Sequence, residues 1–194
     1  IPVKERHVTI ARNLVTMVAG ISIAELASLT ELFSCFLKKN LISEPVIQQI
    51  FLIFASNDFD KVSRRSSLII LAIISKSRKE VVEKRLETIL KLGLGPLGQS
   101  DPIIAQYTLI ALQSLSFGKS RIPCENVLFA RITNFVTNVC NTSHWNSVIN
   151  QAISTIFLLA DRPSPILASI LVEQSKEVFS SMKASKFQLG KLLL

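Results

Sequence analysis

The sequence has few of the residues that an active site needs. Among 194 residues there are two His, three Cys, one Tyr and one Trp, with no C-x-x-C or H-x-x-x-H spacing. Zinc sites need such closely spaced ligands, so we expect no metal site and no bound cofactor. Cys140 and His144 lie four apart, but Asn141-Thr142-Ser143 is a helix-ending stretch, so we expect no nucleophile–base pair there. The sequence therefore predicts no catalytic residue and no enzyme.

Long apolar runs are also missing. The longest one, Leu68 to Ile74, is far too short to cross a membrane. Cys35, Cys124 and Cys140 are widely spaced in apolar, helix-like contexts, so we expect buried free thiols in a reducing compartment. Hydrophobic residues still make up 48% of the chain, which is enough for a buried core. Because the chain lacks an initiator Met and a polar tail, we expect residues 1–194 to be one segment of a longer protein.

Apolar residues recur at spacings of three and four along most of the chain, which predicts about ten helices and an all-α fold. Ser43-Glu44-Pro45 and Asp101-Pro102 mark helix starts. The apolar run within Val62–Ser75 is also compatible with a buried strand, but its length and polar lead-in favour a helix. An amphipathic helix is expected to follow from Ser77 to the glycines near residue 93, and then a loop up to Asp101.

Three of these helices overlay without gaps at offsets of 40 and 45 residues: Ser66–Ala72, Gln106–Leu112 and Gln151–Phe157. In each case a mostly apolar helix precedes a more amphipathic one. A period of about 40–47 residues with two helices per unit is typical of HEAT-type repeats, whereas a helical bundle has no reason to repeat. We therefore predict a HEAT-type α-solenoid of antiparallel helix pairs, with its clearest units at about 62–95, 101–140 and 145–182.

Gly93-Leu94-Gly95-Pro96-Leu97-Gly98 matches the letters of the G-x-G-x-x-G phosphate-binding motif. That motif needs a preceding strand and a helix that opens inside it. Here a helix precedes the motif and Pro96 interrupts it. The interpretation is a helix end followed by a flexible loop between repeats.

The positive charge is concentrated in one third of the chain. Residues 61–122 hold eleven basic and four acidic residues, a net +7 out of +8 for the whole chain. In a solenoid the turns within successive helix pairs fall on one edge, and neighbouring helices lie about 8–10 Å apart. The turns on this edge would present a row of cations suited to a phosphate backbone: Lys76, Arg78, Lys79, Lys119, Arg121 and Arg162. Alternatively, Lys76 and Lys119 simply lie near helix C-termini, where positive charge is favourable.

A second basic group, Lys61, Arg64 and Arg65, crowds the start of a helix, where positive charge is unfavourable. Residues placed against a local preference often have another role. We expect this group to contact a partner subunit or DNA. The alternative is that Asp58 and Asp60 neutralise it within the chain.

Several stretches together resemble the family of large non-SMC HEAT-repeat subunits of condensin (subunit 1), and the resemblance covers nearly the whole chain. It is carried by the order and spacing of these stretches: Arg64-Arg65 leading into 68–74, Glu87–Gly95, Ser100-Asp101, Ala105–Leu115, Trp145 and Gln151–Ala160. The first six residues fit the start of the same region. The resemblance implies a middle segment of such a subunit.

The resemblance further implies a non-catalytic scaffold in mitotic chromosome condensation, in the nucleus, on chromosomes and in the cytoplasm. Its implied partners are the kleisin and SMC subunits, with double-stranded DNA a further candidate, and any ATPase activity belongs to the SMC partners. No membrane and no small-molecule substrate is expected. The alternative function is a HEAT-type scaffold of a transport or adaptor complex that binds acidic peptides through the same cations.

Overall fold

The computed structural model describes residues 3–21, 25–39, 41–117, 127–139 and 146–159, and within these ranges the chain is all-α, as predicted. Ten helices and a 3-10 turn at Ser114–Phe117 follow one another in this part of the chain. The helices are α1 (Val3–Ala19), α2 (Leu26–Lys38), α3 (Glu44–Ala55), α4 (Lys61–Ser75), α5 (Glu80–Glu83), α6 (Leu86–Gly93), α7 (Pro96–Ser100), α8 (Pro102–Gln113), α9 (Val127–Val139) and α10 (Asn146–Leu159). The helices expected beyond residue 160 lie outside the described residues.

The three helices that overlay in the sequence are neighbours in space. Helix α4 packs against α8, and α8 packs against α10. Gln113 Nε2 donates to Thr155 Oγ1 at 3.1 Å, so the end of α8 lies beside the second half of α10. At the other end of α8, Asp101 lies beside the first turn of α4. The three helices therefore run parallel in one layer, as stacked helix pairs of a HEAT-type solenoid require. The unit boundaries themselves stay a prediction.

Helix α4 lies at the centre of the core. Every residue from Ser66 to Ser75 is buried, and α1, α2, α3 and α8 all pack against this helix. A helix that is apolar around its whole circumference needs neighbours on all sides. The helix interpretation of Val62–Ser75 is thus confirmed. Asp60 caps α4 by accepting from the backbone N–H groups of Val62 and Ser63 at 2.8 and 2.9 Å.

The second helix of this repeat is broken, and the expected continuous helix from Ser77 is wrong. The chain forms α5 and α6 with a turn at Lys84 and Arg85 between them, where Arg85 has φ −123° and ψ 9°. Apolar spacing did not reveal the break, because two short helices in succession keep nearly the same periodicity as one long helix.

The expected loop before Asp101 is also wrong in part. Helix α7 forms there, with Pro96 in its first turn, where a missing N–H costs nothing.

Cys35 is an exposed free thiol, so its expected burial is wrong. Leu29, Phe33 and Leu37 form the buried stripe of α2, and Cys35 lies off that stripe. Cys124 and Cys140 lie outside the described residues. In the described part of the chain, no helix is long and apolar enough to span a bilayer.

Candidate nucleic-acid interface

The turn after α4 contains the first three cations of the predicted row. Lys76 is the C-cap residue of α4 and is exposed, and no carboxylate of a described residue forms an ion pair with it. Lys79 pairs with Glu83 at 3.1 Å, and both side chains are more than two-fifths exposed. A surface i, i+4 pair of this kind contributes only about 0.3–0.5 kcal/mol, so phosphate can compete with Glu83 for the ammonium group.

Arg78 joins this turn to the turn between α2 and α3. Its Nη1 donates to the backbone carbonyl of Ile42 at 3.4 Å, and Ile42 lies between α2 and α3. The turn after α2 and the turn after α4 therefore lie side by side on one edge. The sequence predicted a shared edge only for the turns of the later repeats. The Arg78–Ile42 hydrogen bond places the turn between α2 and α3 beside the turn after α4.

The shared edge brings in two lysines that the sequence reasoning missed. Lys38 is the last residue of α2, Lys39 is its C-cap residue, and both are exposed. We define the cationic edge as Lys38, Lys39, Lys76, Arg78 and Lys79. The signal was present in the sequence, because the rule that pair turns share an edge applies equally to residues 38–43. The first repeat unit read from the sequence, however, began only at about residue 62. Lys119, Arg121 and Arg162 lie outside the described residues and stay predicted members of this row.

Two members of the second basic group converge on a carboxylate of the next repeat. Lys61 Nζ and Arg65 Nη1 lie 3.8 and 3.9 Å from Asp101 Oδ2, and Lys61 Nζ also donates to the Ser100 carbonyl at 2.7 Å. The Asp101 side chain is only 8% exposed, and its other oxygen accepts from the Ile103 N–H at the start of α8. The counter-ion of Lys61 and Arg65 is thus Asp101, rather than Asp58 or Asp60. Contact of Lys61 and Arg65 with a partner or DNA stays a prediction.

Arg64 points into the protein. It is 7% exposed, its Nε donates to the Phe54 carbonyl at 2.9 Å, and its Nη1 donates to Asn57 Oδ1 at 3.0 Å. Burial lowers the pKa of the guanidinium because the charged form loses solvation. These bonds hold the loop between α3 and α4 against α4. The guanidinium therefore binds acceptors inside the protein, and we leave Arg64 out of the candidate interface.

Arg85 is buried and links two parts of the chain, a role that the sequence did not reveal. Its Nη2 donates to Glu44 Oε1 at 2.7 Å and to Gln48 Oε1 at 3.0 Å, both on α3. The guanidinium carbon also lies 5.5 Å from the centre of the Phe51 ring. Arg85 thus joins the turn between α5 and α6 to α3. In the sequence it is one basic residue of an apparently amphipathic helix, and nothing there distinguishes it from its neighbour Lys84.

The glycine motif is a packing feature of the described structure. A Cβ on Gly93 would lie 2.8 Å from Thr108 Cγ2, and one on Gly98 would lie 2.7 Å from the Gly93 carbonyl carbon. Both distances are shorter than Cβ atoms tolerate, so these glycines let α6, α7 and α8 approach one another closely. Gly93 ends α6, as predicted. In this part of the chain the motif follows a helix, whereas a phosphate-binding loop follows a strand.

No family model matches the chain. It is similar to condensin complex subunit 1 of Schizosaccharomyces pombe, with 27% identity over 179 residues that cover 88% of this chain and 15% of that protein. The subunit of the same name from Saccharomyces cerevisiae is 26% identical over 201 residues, covering 91% and 17%. The human one is 25% identical over 192 residues, covering 90% and 13%.

The chain thus spans between 13% and 17% of the length of these three curated relatives. Three further matches, from Xenopus laevis, Mus musculus and Arabidopsis thaliana, carry the same subunit name or that of condensin-1 complex subunit CAP-D2. The resemblance predicted from the sequence is confirmed: the chain is similar to condensin complex subunit 1 over 88–91% of its length, and each of these matches covers one segment of that subunit.

Proposed function

We propose that this chain is a non-catalytic scaffold segment of a condensin, acting in chromosome condensation in the nucleus. The similarity to condensin complex subunit 1 over most of the chain supports this assignment. Contacts with kleisin and SMC subunits, and a cytoplasmic pool, belong to the same proposal.

Within this role we propose that the cationic edge binds the phosphate backbone of double-stranded DNA. The observation that carries this proposal is the Arg78–Ile42 hydrogen bond, since it places Lys38 and Lys39 on the same edge as Lys76 and Lys79. Lys38, Lys39 and Lys76 are exposed, and no ion pair to a carboxylate of the described residues occupies them. Lysines on turns can reach phosphates of either strand without reading bases.

The strength of binding should depend steeply on salt. Duplex DNA carries one charge per about 1.7 Å of helix axis, and each neutralised phosphate contributes a slope of about −0.9 to the plot of log K against log salt. If Lys38, Lys39, Lys76 and Lys79 each neutralise one phosphate, they contribute a slope of about −3.6. The predicted members Lys119, Arg121 and Arg162 would make the slope steeper.

A fluorescence anisotropy titration with duplex DNA at several salt concentrations tests this. We expect the triple variant Lys38→Glu, Lys39→Glu, Lys76→Glu to lose most of its affinity and to show a shallower salt slope. The control is Lys91→Glu, which reverses one exposed lysine within α6 rather than on a turn, and it should bind nearly as tightly as the unmodified chain. If the control instead lost as much binding free energy per reversed lysine as the triple variant, net charge and not the cationic edge would govern binding. Failure of the unmodified chain to bind would favour the acidic-peptide scaffold.

A further inference from the structure

A cleft of about 500 Å³ lies between α6 and α9, the second helices of two successive pairs. Its apolar lining includes Leu90 on α6, Leu94 at the C-cap of α6 and Phe135 on α9, and its polar lining includes Lys91, Asn134 and Asn138. Residues three and four apart share one face of a helix, so each helix presents one continuous stripe to the cleft. The cleft runs along the helices, whereas the cationic edge lies at their connecting turns.

An ion pair links the two walls at one end of the cleft. Arg131 Nη1 on α9 lies 2.9 Å from Glu87 on the first turn of α6. Glu87 is the one acidic residue among the described residues that line the cleft, and this pair neutralises it. Lys91 then leaves the cleft with a net charge of +1. It is exposed, and no carboxylate of a described residue pairs with it.

The two asparagines have the spacing of an extended peptide. Asn134 and Asn138 are exposed and four residues apart on α9, a rise of about 6 Å. Alternate residues of an extended chain repeat at about 6.6–6.8 Å, and their backbone N–H and C=O groups point the same way. A carboxamide both donates and accepts, so each asparagine can pair with the backbone of every second peptide residue.

We propose that this cleft binds an extended segment of a partner protein in which acidic and apolar residues alternate. The asparagines would pair with its backbone, an apolar side chain would pack on Leu90, Leu94 and Phe135, and an acidic side chain would pair with Lys91. The cleft spans residues 87–95, which include most of α6 and the two residues after it, or about 12 Å. That length accommodates about four extended residues. The proposal does not depend on DNA binding at the cationic edge.

The test is a selection of displayed random decapeptides on the whole 194-residue chain, followed by anisotropy titrations of the recovered peptides. We expect acidic–apolar peptides whose affinity falls about fivefold for Asn134→Ala and again for Asn138→Ala, since each loses a backbone hydrogen bond. Lys91→Glu should weaken acidic peptides and favour basic ones. The control, Asn13→Ala, removes an exposed helical asparagine on α1 and should change nothing.

The reasoning is overturned if no peptide is recovered, if the recovered peptides are not acidic, or if they bind the asparagine variants as tightly as the original chain. Competition by a single-stranded oligonucleotide at matched concentration would instead assign the cleft to nucleic acid. Because the variants replace exposed side chains, we expect unchanged thermal unfolding. Peptide binding should also survive the triple reversal at the cationic edge, which separates this result from the DNA experiment.

Discussion

Substituting Gly93 by alanine distinguishes a packing glycine from an ordinary helix end. Gly93 is the last residue of α6, and at a helix position alanine is more favourable than glycine by about 1 kcal/mol. If nothing lay close by, the Gly93→Ala variant would therefore be neutral or more stable. In the structure, however, the new Cβ would lie 2.8 Å from Thr108 Cγ2, 2.9 Å from Thr108 Cβ and closer still to Thr108 Oγ1.

The magnitude follows from how little the neighbour can move. Thr108 is fully buried, and its hydroxyl donates to the Ile104 carbonyl at 2.8 Å. Carbon atoms pack best at about 3.5–4.0 Å, so α6 and α8 must separate locally. Overpacking of this kind costs about 1–3 kcal/mol. After the gain in helix propensity, we expect a net loss of up to about 2 kcal/mol, which lowers the melting temperature by up to about 8 °C for a chain of this size.

Thermal and urea unfolding followed by circular dichroism measure this loss. Gly20→Ala is the matched control, because the nearest atom to its new Cβ is the Met17 carbonyl oxygen at 3.7 Å, an ordinary contact. In the double variant with Thr108→Ala, the closest contacts disappear and only the Cβ contact stays, so the two changes should together cost less than their sum. A Gly93→Ala variant as stable as the Gly20→Ala variant, or strictly additive losses, would refute the packing interpretation.

The other two predictions concern buried and capping charges. Arg85→Ala should cost about 2–4 kcal/mol in unfolding free energy, because it empties the space beside Phe51 and breaks three hydrogen bonds. Arg85→Met should stay within about 1 kcal/mol of the unmodified chain, since Glu44 is half exposed and can be solvated; equal losses in urea titrations would contradict this. The pKa of Asp60 is lowered by its hydrogen bonds to the Ser63 side chain and backbone, so its stabilising effect is present above the unfolded pKa and lost as pH falls through the lower folded pKa. Unfolding measured from about pH 6 to pH 2 should therefore show the advantage over Asp60→Asn shrinking in acid, and a constant difference would exclude this origin.

The stacking of the repeats could be predicted because it depends on side chains that are alike in each unit. Ser66–Ala72 and Gln106–Leu112 overlay in the sequence, and their helices α4 and α8 are neighbours in the structure. Asp101 and Pro102 marked the start of α8 correctly, because a capping carboxylate and a proline both have a local cause. Local signals and periodicity were therefore sufficient for the layer that contains α4, α8 and α10.

Helices α5, α6 and α7 were predicted less well because their geometry depends on contacts between repeats. The break at Arg85 accompanies contacts with Glu44 and Gln48, 41 and 37 residues earlier in the chain. Likewise, Gly93 packs on Thr108 of the next repeat. Such contacts join residues of unlike type at distances that no helical period describes. Single-sequence reasoning finds the period but not the partners.

Charge was the least predictable feature, because adjacent cations in the sequence have different surroundings in the structure. Lys61, Arg64 and Arg65 read as one group, yet Arg64 is buried against Phe54 while Lys61 and Arg65 share Asp101. Neighbouring positions on a helix point in different directions, since each residue turns by about 100°. A run of basic residues therefore becomes a binding surface only where no internal acceptor intervenes.

That rule explains why the candidate interface lies on the edge that carries the pair turns. Most described cations in the strongly basic third of the chain have an acceptor inside the protein: Lys61, Arg64, Arg65, Arg78, Lys79 and Arg85. The net charge of that third thus overstates what a polyanion can reach. On the turn after α4, only Lys76 of the described cations lacks such an acceptor, and one lysine is too few to hold a duplex at physiological salt. The edge has enough exposed cations to bind DNA only because the turn after α2 adds Lys38 and Lys39. The Arg78–Ile42 hydrogen bond places that turn beside Lys76. In a solenoid, an anion-binding surface is thus a property of the register between repeats.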